Sequence, residues 1–453
     1  MDAVSLSRLV ADLGGHLRGP DTEVIGAALD SRRIRSGELF VALTGSRADG
    51  HDYLSAARTA GAAAALLERA VPEPLPQWIV ADGRGTLAAL GCWVREHCAA
   101  TQIVAVTGSN GKTTVKEMLA AILARHGATL ATSGNYNNEL GVPLTLCRLQ
   151  RRHRYAVLEL GASAPGQIRR LTQWVRPSVG VITNAGPAHL DGFGSVAGVA
   201  RGKGELFETL PDDGIAVINV DDAFANLWQR LARPRRCITF GLDRRAEVRA
   251  TTAADGQLEL RWDGRVLPVR LPLLGRHNQL NALASAATAL ALELPGAAIR
   301  AGLEAMRPVP GRLCWREGIG GARILDDTYN ANPASLAAAI RVLAENSQRR
   351  WLVLGDMAEL GETAGRLHRR AGQLARAGGV ERLFVIGELA AASAAGFGLG
   401  AECFDDREAL VKALSGGLGP DIAVLIKGSR SAAMDIVADR LAADKPDAAE
   451  MEG

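Results

Sequence analysis

One segment of the chain, Thr107-Gly108-Ser109-Asn110-Gly111-Lys112-Thr113-Thr114, has the residue types of a phosphate-binding loop. Its glycines allow the backbone to turn so that several N–H groups point into one concavity. In such loops the lysine contacts the β- and γ-phosphates of a nucleotide, and the following hydroxyl coordinates Mg²⁺. We therefore expect Lys112 and Thr113 to have these roles, although Val106 stands where the common pattern has its first glycine.

The residues on either side predict the strand and the helix that such a loop needs. Ile103 to Val106 is a short apolar run typical of a buried strand, and a helical pattern follows from about Thr113 to His126. The N-terminus of that helix adds its positive dipole to the lysine. Because the three signals agree, we interpret the segment as a nucleotide site and not as an accidental strand–loop–helix.

Two other predicted strands, at residues 155–158 and 179–183, are followed by polar side chains. Glu159 comes directly after the first strand, and Asn184 and then His189 follow the second. In parallel sheets ligands bind at the carboxyl ends of strands. Glu159 and Thr113 can therefore share one Mg²⁺, and His189 can add a ligand for a second. The alternatives are a solvated carboxylate at 159 and a structural histidine at 189.

For three more polar groups, the residue types do not decide between a binding role and a structural one. Asp30-Ser31-Arg32 can hold a phosphate or a sugar, or form a turn with a surface ion pair. Lys203 has the character of a surface lysine. Asn278 and Asn281 share one face of a predicted helix, where two amides can recognise a purine edge or cap the helix.

The composition excludes several classes of protein. The chain has 453 residues, of which 47% are hydrophobic and 22% charged, so two to four globular domains are expected. A net charge of +3 argues against nucleic-acid binding by bulk electrostatics. Apolar stretches are too short for membrane insertion, and no signal peptide is recognisable, so we expect a cytoplasmic protein. The six cysteines form no Cys-x-x-Cys pair, which argues against a zinc site or a disulfide framework.

Strand and helix patterns alternate along the chain and predict an α/β fold with three domains. We place them at residues 1–98, 99–311 and 312–453. In the first, Tyr53 to Glu68 is predicted as one alanine-rich helix. The third domain is a second open α/β sheet of dinucleotide-fold type, but no Gly-x-Gly-x-x-Gly follows its first strand, so NAD binding is not indicated. Polar residues again follow its predicted strands, in the segments Asp326–Pro333, Asp356–Gly361 and Lys427–Arg430.

These segments together resemble the Mur ligases, a family of ATP-dependent amide ligases. The phosphate loop is similar to theirs, including the missing first glycine. The other segments that carry the resemblance span nearly the whole chain; they are Asp30–Arg32, Gly134–Glu139, Leu158–Ala162, Ala188–Gly194, Asp326–Pro333 and Lys427–Arg430. An Asp-Asn-Pro-Arg motif, typical of the family member that adds the third residue of the peptide, is absent from the sequence.

The resemblance implies a small α/β N-terminal domain for the UDP end of the substrate, a central P-loop ATPase domain with a mostly parallel sheet, and a C-terminal Rossmann-like α/β domain. It also implies a reaction. ATP phosphorylates the carboxylate that ends a UDP-MurNAc-tripeptide, the amine of D-alanyl-D-alanine attacks the acyl phosphate, and the peptidoglycan precursor UDP-MurNAc-pentapeptide results. The cofactors implied are ATP and Mg²⁺, and a monomer is the simplest expectation. The alternatives are another Mur-type or folylpolyglutamate-type ligase and, from a different class, a P-loop nucleotide switch.

The resemblance further implies roles for individual residues. Lys203 matches a lysine that these ligases carbamylate to make a Mg²⁺ ligand, so the implied catalytic set is Lys112, Glu159, His189 and Lys203, with Thr113, Glu159, His189 and Lys203 at the metal. The implied ATP-binding residues are Thr107, Gly108, Ser109, Asn110, Gly111, Lys112, Thr113, Thr114, Asn278, Asn281, Arg312, Asp327 and Asn330. The implied substrate-binding residues are Ser31, Arg32, Asn135, Asn138, Tyr329 and Asn332.

Overall fold

Three main β-sheets follow one another along the chain in the computed structural model of the protein, and they confirm the predicted three-domain α/β fold. The structure describes residues 1–46, 48–254, 256–347 and 349–443. The last ten residues of the predicted third domain, 444–453, lie outside the described residues. None of the described helices is long and apolar enough to cross a bilayer.

The N-terminal part contains a five-stranded sheet of order β2-β7-β6-β5-β4 and a small β1-β3 pair. Its strands are β1 (Val4–Ser5), β2 (His16–Arg18), β3 (Glu23–Val24), β4 (Ala27–Ala28), β5 (Leu39–Val41), β6 (Ala64–Leu67) and β7 (Gln77–Ile79), and its helices are α1 (Leu6–Leu13), α2 (Leu54–Thr59) and α3 (Gly83–His97). The prediction of one helix from Tyr53 to Glu68 was wrong, because the second half of that segment is strand β6. Gly61 has a φ of 98° after the helix, and all four residues of β6 are buried in the sheet.

The central part is a nine-stranded sheet of order β16-β15-β14-β13-β12-β11-β8-β10-β9. Its strands are β8 (Gln102–Thr107), β9 (Thr129–Ala131), β10 (Tyr155–Glu159), β11 (Val179–Ile182), β12 (Ile215–Asn219), β13 (Arg236–Gly241), β14 (Val248–Thr252), β15 (Leu258–Trp262) and β16 (Arg265–Val269). Its helices are α4 (Lys112–Leu123), α5 (Gly141–Leu146), α6 (Gln167–Val175), α7 (Leu190–Phe193), α8 (Val196–Glu208), α9 (Ala225–Ala232), α10 (Arg276–Ala291) and α11 (Gly296–Glu304). The strands from β14 to β9 are parallel, and β15 and β16 add an antiparallel edge.

The C-terminal part is a six-stranded sheet of order β17-β18-β22-β19-β20-β21, parallel except for β17. Its strands are β17 (Cys314–Glu317), β18 (Arg323–Asp327), β19 (Arg349–Gly355), β20 (Arg382–Ile386), β21 (Ala401–Phe404) and β22 (Ile422–Lys427). Its helices are α12 (Pro333–Asn346), α13 (Ala364–Ala377), α14 (Ala390–Phe397), α15 (Arg407–Ser415) and α16 (Asp435–Leu441).

Burial of the central sheet on both faces explains why its strands are almost continuously apolar. In β8, Ile103 and Ala105 belong to one core, and Val104 and Val106 belong to the core on the opposite face. Successive side chains of a strand point to opposite faces, so both sets must be apolar when helices cover both sides. The chain passes from β8 to β9 and β10 on one side and later to β11 on the other. The loop after β8 therefore lies where the strand order reverses, which is where ligands bind in such sheets.

Candidate functional site

The phosphate loop joins β8 to α4 as predicted, and its two glycines are required by their surroundings. Gly108 has a φ of 153°, and a Cβ atom there would lie 1.8 Å from Oγ1 of Thr183. Gly111 has a φ of 81°, and a Cβ atom there would lie 2.4 Å from Oδ1 of Asn281. The first-turn N–H groups of α4 have no acceptor within the helix, so the loop and the helix start can bind an anion.

Asn184, which follows β11, holds the loop from the neighbouring strand. Its Oδ1 accepts the N–H of Asn110 at 3.0 Å, and its Nδ2 donates to the carbonyl oxygen of Asn110 at 3.0 Å. Its own carbonyl oxygen accepts the N–H of Ser109 at 3.0 Å. The side chain and the backbone of Asn184 together fix the conformation of the loop.

Glu159, Thr113 and Lys112 come together at the carboxyl ends of β8 and β10. The Thr113 hydroxyl donates to Oε2 of Glu159 at 2.8 Å, and Asn137 Nδ2 donates to Oε1 at 2.9 Å. The Lys112 ammonium donates to the carbonyl oxygen of Gly108 at 2.8 Å. Loss of hydration lowers the pKa of Lys112, while the charge of Glu159 opposes that shift. The Glu159 carboxylate is buried and hydrogen-bonded, so the solvated-carboxylate alternative is wrong.

Lys203 lies in α8 and is 1% exposed, so the surface-lysine alternative is also wrong. Among the described residues, its ammonium has no hydrogen-bond partner. Burial lowers the pKa of Lys203 well below its usual value, Lys112 lowers it further, and Glu159 opposes the shift. A buried lysine with a low pKa and no partner is unusual unless the site uses it.

His189 precedes α7 with a φ of 52° and meets the C-terminal sheet domain. Its Nδ1 lies 2.5 Å from Oε2 of Glu359, in a geometry that is not aligned as a hydrogen bond. The backbone N–H of Leu190 donates to the carbonyl oxygen of Glu359 at 3.1 Å. Burial lowers the pKa of the His189 imidazole, with a smaller lowering from Lys112 and Lys203 and a raising effect from Glu359.

The segment that links the central and C-terminal sheets places Arg312 against the phosphate loop. Its Nη2 donates to Oγ1 of Thr113 at 2.9 Å. The guanidinium carbon lies 3.9 Å from the ring centroid of Tyr329, a cation–π distance. The N–H of Tyr329 donates to the carbonyl oxygen of Gly311 at 3.0 Å, so the ring is tied to the linker that carries the arginine.

Asn332 connects the C-terminal domain to the same loop. It caps α12 in a capping box, where its Oδ1 accepts the N–H of Ser335 at 2.9 Å. Its Nδ2 donates to Oδ1 of Asn110 at 2.7 Å. One side chain therefore begins a helix of one domain and contacts the phosphate loop of another.

Asp327 and Lys427 form a buried ion pair at the ends of β18 and β22. The Lys427 ammonium also donates to the carbonyl oxygen of Asn330 at 2.9 Å. Burial raises the pKa of Asp327, and the adjacent Lys427 opposes this. The pair fixes the segment that carries Tyr329, Asn330 and Asn332.

Asn278 and Asn281 lie on one face of α10, as predicted, and both are buried. Nδ2 of Asn281 donates to Oδ1 of Asn278 at 3.0 Å, and Nδ2 of Asn278 donates to the carbonyl oxygen of Leu274 at 2.8 Å. The amides are therefore ordered by one another and by the backbone that precedes the helix.

A cavity of about 860 Å³ lies between the central and C-terminal sheet domains. The predicted site residues that line it are Ser109, Asn110, Gly111, Lys112, Thr113, Thr114, Asn135, Asn138, Glu159, His189, Asn278, Asn281, Arg312, Asp327, Tyr329, Asn330 and Asn332. The other predicted residues do not line it. Thr107 and Lys203 are buried side chains, Gly108 lies at the turn out of β8, and Ser31 and Arg32 lie in the N-terminal part. There Arg32 pairs with Asp30 at 2.8 Å and its side chain is 86% exposed.

The structure adds site residues that the sequence did not single out as binding residues. Asn137, Asn184, Lys427 and Arg84 all line the cavity. The sequence contains a pattern that could have predicted the first three as binding residues. Asn184 and Lys427 lie at the ends of predicted strands, and Asn137 lies within the segment Gly134–Glu139 that carries the family resemblance. No pattern in the sequence predicted Arg84 as a binding residue, because it lies in the first turn of α3 and belongs to no recognisable motif.

Comparison with known proteins gives consistent matches along the chain. Residues 23–82 match the model described as Mur ligase family, catalytic domain; residues 106–289 match Mur ligase middle domain; and residues 311–430 match Mur ligase, glutamate ligase domain. The UDP-N-acetylmuramoyl-tripeptide–D-alanyl-D-alanine ligase of Escherichia coli (strain K12) is 43% identical over 444 residues, which cover 96% of this chain and 98% of that protein.

Solved structures give the same result for the fold. A crystal structure of MurF from Acinetobacter baumannii is 33% identical, with a TM-score of 0.89 over 97% of this chain and 98% of that one. A MurF ligase from Thermotoga maritima, solved in complex with ADP, is 29% identical, with a TM-score of 0.79 over 92% of this chain and 96% of that one.

Proposed function

The chain belongs to the Mur ligase family, and we infer that it joins D-alanyl-D-alanine to UDP-MurNAc-tripeptide with the consumption of ATP. The observation that carries this conclusion is the 43% identity, over 96% of the chain, to the ligase named for that reaction. The geometry supports it, because the cavity combines a phosphate loop with polar side chains of a second α/β domain. The product is the UDP-MurNAc-pentapeptide used in peptidoglycan synthesis.

We assign residues 1–98 to the UDP-substrate domain, 99–311 to the ATP-binding domain and 312–453 to the C-terminal ligase domain. The separate sheets support this division. Ser31 and Arg32 then bind the UDP end of the substrate, and Asn135, Asn138, Tyr329 and Asn332 bind its peptide end and the dipeptide. Arg32 is exposed, and the part of its guanidinium that does not bind Asp30 can donate to a diphosphate.

The residues around Thr113 fit Mg²⁺. The ion prefers oxygen ligands and is usually held by one or two carboxylates together with substrate phosphates. The Thr113 hydroxyl and the Glu159 carboxylate offer such oxygens beside the phosphate loop. In the part of the chain that the structure describes, no three acidic, histidine or cysteine side chains are grouped so that they could hold a metal ion by themselves. His189 and Lys203 supply the further ligands in this proposal, and the bound ion neutralises phosphate charge.

Catalysis then depends on positioning and charge, as is usual for phosphoryl transfer. Lys112 and the first-turn N–H groups of α4 hold the β- and γ-phosphates, with Asn278 and Asn281 on the adenine side. Arg312 places a second cation on the phosphates from the linker, near Thr113. The substrate carboxylate attacks the γ-phosphorus to give an acyl phosphate and ADP. The amine of D-alanyl-D-alanine attacks the acyl carbon, the tetrahedral intermediate expels phosphate, and the amine loses a proton.

Lys203 is carbamylated in this proposal. A neutral amine adds to CO₂ and releases a proton, which gives a carbamate that has the oxygen ligands Mg²⁺ prefers. The low pKa of Lys203 supports this, because it increases the fraction of neutral amine. Activity of Lys203→Ala should return when short carboxylic acids are added, and Lys116→Ala is a control for the loss of a buried lysine elsewhere in the domain. Failure of rescue, with no extra mass on Lys203 in the native protein, would contradict the modification.

The deciding experiment measures phosphate release from ATP and Mg²⁺ with the two substrates supplied together or singly. Release that requires both UDP-MurNAc-tripeptide and D-alanyl-D-alanine establishes the ligase. L-lysine, diaminopimelate and D-glutamate as competing amines test the alternative of another Mur-type or folylpolyglutamate-type ligase. Release independent of both substrates would instead indicate a nucleotide switch. We expect the enzyme to act as a monomer in the cytoplasm, where ATP and the UDP-linked substrate are available.

A further inference from the structure

The segment Asp356–Gly361 follows β19 in the C-terminal domain and has no part in the function described so far. In the structure it approaches three successive residues at the start of α7, which are His189, Leu190 and Asp191. Glu359 Oε2 lies 2.5 Å from Nδ1 of His189, and the Glu359 carbonyl oxygen accepts the N–H of Leu190 at 3.1 Å. A Cβ atom on Gly361 would lie 2.4 Å from Oδ1 of Asp191, so a side chain at 361 would obstruct this approach.

Both residues of the central contact have an unusual backbone conformation. His189 has a φ of 52° and Glu359 a φ of 61°, and neither is glycine. Such conformations cost free energy and persist only where the surrounding structure imposes them, which is most often at functional sites. Here each strained residue lies on the surface of its own domain and faces the other.

The imidazole of His189 lines the cavity. Its Nδ1 faces Glu359, so only Nε2 can bind a ligand in the cavity. A histidine that binds a metal commonly donates its second ring N–H to a carboxylate, which fixes both the tautomer and the orientation of the ring. The unmodified Lys112 and Lys203 ammonium groups act on this ring as positive charges, whereas the Glu359 carboxylate is the negative group 2.5 Å from it.

We propose that Glu359 is a positioning residue, supplied to His189 by the C-terminal domain when the two domains are in contact. The carboxylate already lies 2.5 Å from Nδ1, and a small rotation of the ring brings the Nδ1–H into line with it. The carboxylate then holds the proton on Nδ1 and leaves Nε2 available to the metal–phosphate site. The site is then complete only when the C-terminal domain lies against the central domain. This inference rests on the proposed function, because it gives His189 its role in that reaction.

The test compares Glu359→Gln with Glu362→Gln. Glu362 lies three residues further along, is exposed, and has no partner among the described residues. Glu359→Asn is a second variant, because asparagine tolerates the left-handed conformation and removes the carboxylate together with one methylene. The readouts are kcat, the KM for ATP, the affinity for Mn²⁺ in the presence of ADP by electron paramagnetic resonance, and the ¹⁵N shifts of His189, assigned by their loss in His189→Gln.

We expect both Glu359 variants to lower kcat and the affinity for Mn²⁺ by about 10-fold, the lower end of the usual range for such partners. The KM for ATP should change little, since Glu359 does not contact the phosphate loop. The ¹⁵N shifts should move from a single Nδ1–H tautomer toward a mixture, and Glu362→Gln should match the wild type. Equal kcat, Mn²⁺ affinity and tautomer in all variants would overturn the inference. Failure of the proposed function would look different, because the wild type itself would then lack substrate-dependent activity.

Discussion

The amide nitrogen of Asn332 lies 2.7 Å from the amide oxygen of Asn110, which is 222 residues away and belongs to a different domain. The contact joins the start of α12 to the phosphate loop, which we propose holds the phosphates of ATP. This short hydrogen bond is one of several contacts between the two domains, which we expect to approach each other before catalysis. Such closure excludes water and prevents wasteful ATP hydrolysis.

Asn332→Asp should separate the two roles of this side chain. The aspartate still caps α12 by accepting the N–H of Ser335, but it cannot donate to Asn110. We expect a loss of about 10-fold in kcat with little change in the free energy of unfolding, because one charge-free hydrogen bond is replaced by repulsion between oxygens. Asn110→Ala should show the same loss, and the double variant should be no worse than either single one. Additive losses would show that the contact is not functional.

Arg312 should depend on the ring of Tyr329 for its position. Arg312→Ala should lower kcat by about 100-fold, as expected for removal of a cation that stabilises transferring phosphate. Tyr329→Phe keeps the cation–π contact and should retain most activity, whereas Tyr329→Leu should lose about 10-fold. Steady-state kinetics with ATP as the varied substrate would measure kcat for the three variants and rank them. If the phenylalanine variant were as impaired as the leucine variant, the hydroxyl and not the ring would be important.

Lys112→Met should remove most activity and leave the fold intact. The methionine is unbranched and one atom shorter than lysine, and it lacks the charge that meets the β- and γ-phosphates, so we expect a fall of at least about 100-fold in kcat. The lysine is poorly hydrated in the cavity, so its loss should not lower the free energy of unfolding. Thermal unfolding would check the fold, and a phosphate-release assay would check the rate. A modest loss of activity would mean that Arg312 and the helix start are sufficient for phosphate binding.

His277 should make the folded state less stable in mild acid. Burial, together with the charges of Lys427 and Arg341, lowers the pKa of His277 from 6.5 to about 4. Between these two values the unfolded chain binds a proton that the folded chain does not, so the free energy of unfolding falls as the pH falls through this range. At pH 4.5 this proton uptake lowers the free energy of unfolding by about 2 kcal/mol relative to pH 7.

His277→Asn removes this proton uptake. Urea unfolding at pH 7 and at pH 4.5 should therefore show a smaller loss of stability in the variant than in the wild type. All other titrating groups are common to both proteins, so they cancel in the comparison. Equal losses in the two proteins would mean that His277 is not held neutral by its surroundings.

The sequence alone determined those features that are local in the chain. The phosphate loop, the polar residues at the carboxyl ends of β10 and β11 and the helix α10 follow from residue types and spacing over a few positions. The periodicity of apolar residues also predicted most strands of the parallel sheets, because burial on both faces leaves a continuous apolar run. The family resemblance, and not residue type, suggested a role for Lys203.

Only the tertiary structure decided which residues are buried and which distant residues meet. Ala64 to Leu67 have helix-forming composition, yet they form strand β6 because the free energy of burial in the sheet outweighs a weak local preference. Lys203 has the residue type of a surface lysine, but the packing of α8 buries it within the influence of the Glu159 charge. The contacts of Arg312 with Thr113 and of His189 with Glu359 join different domains, so no local pattern encodes them. They arise from how the C-terminal domain packs against the central sheet, a property of the whole chain.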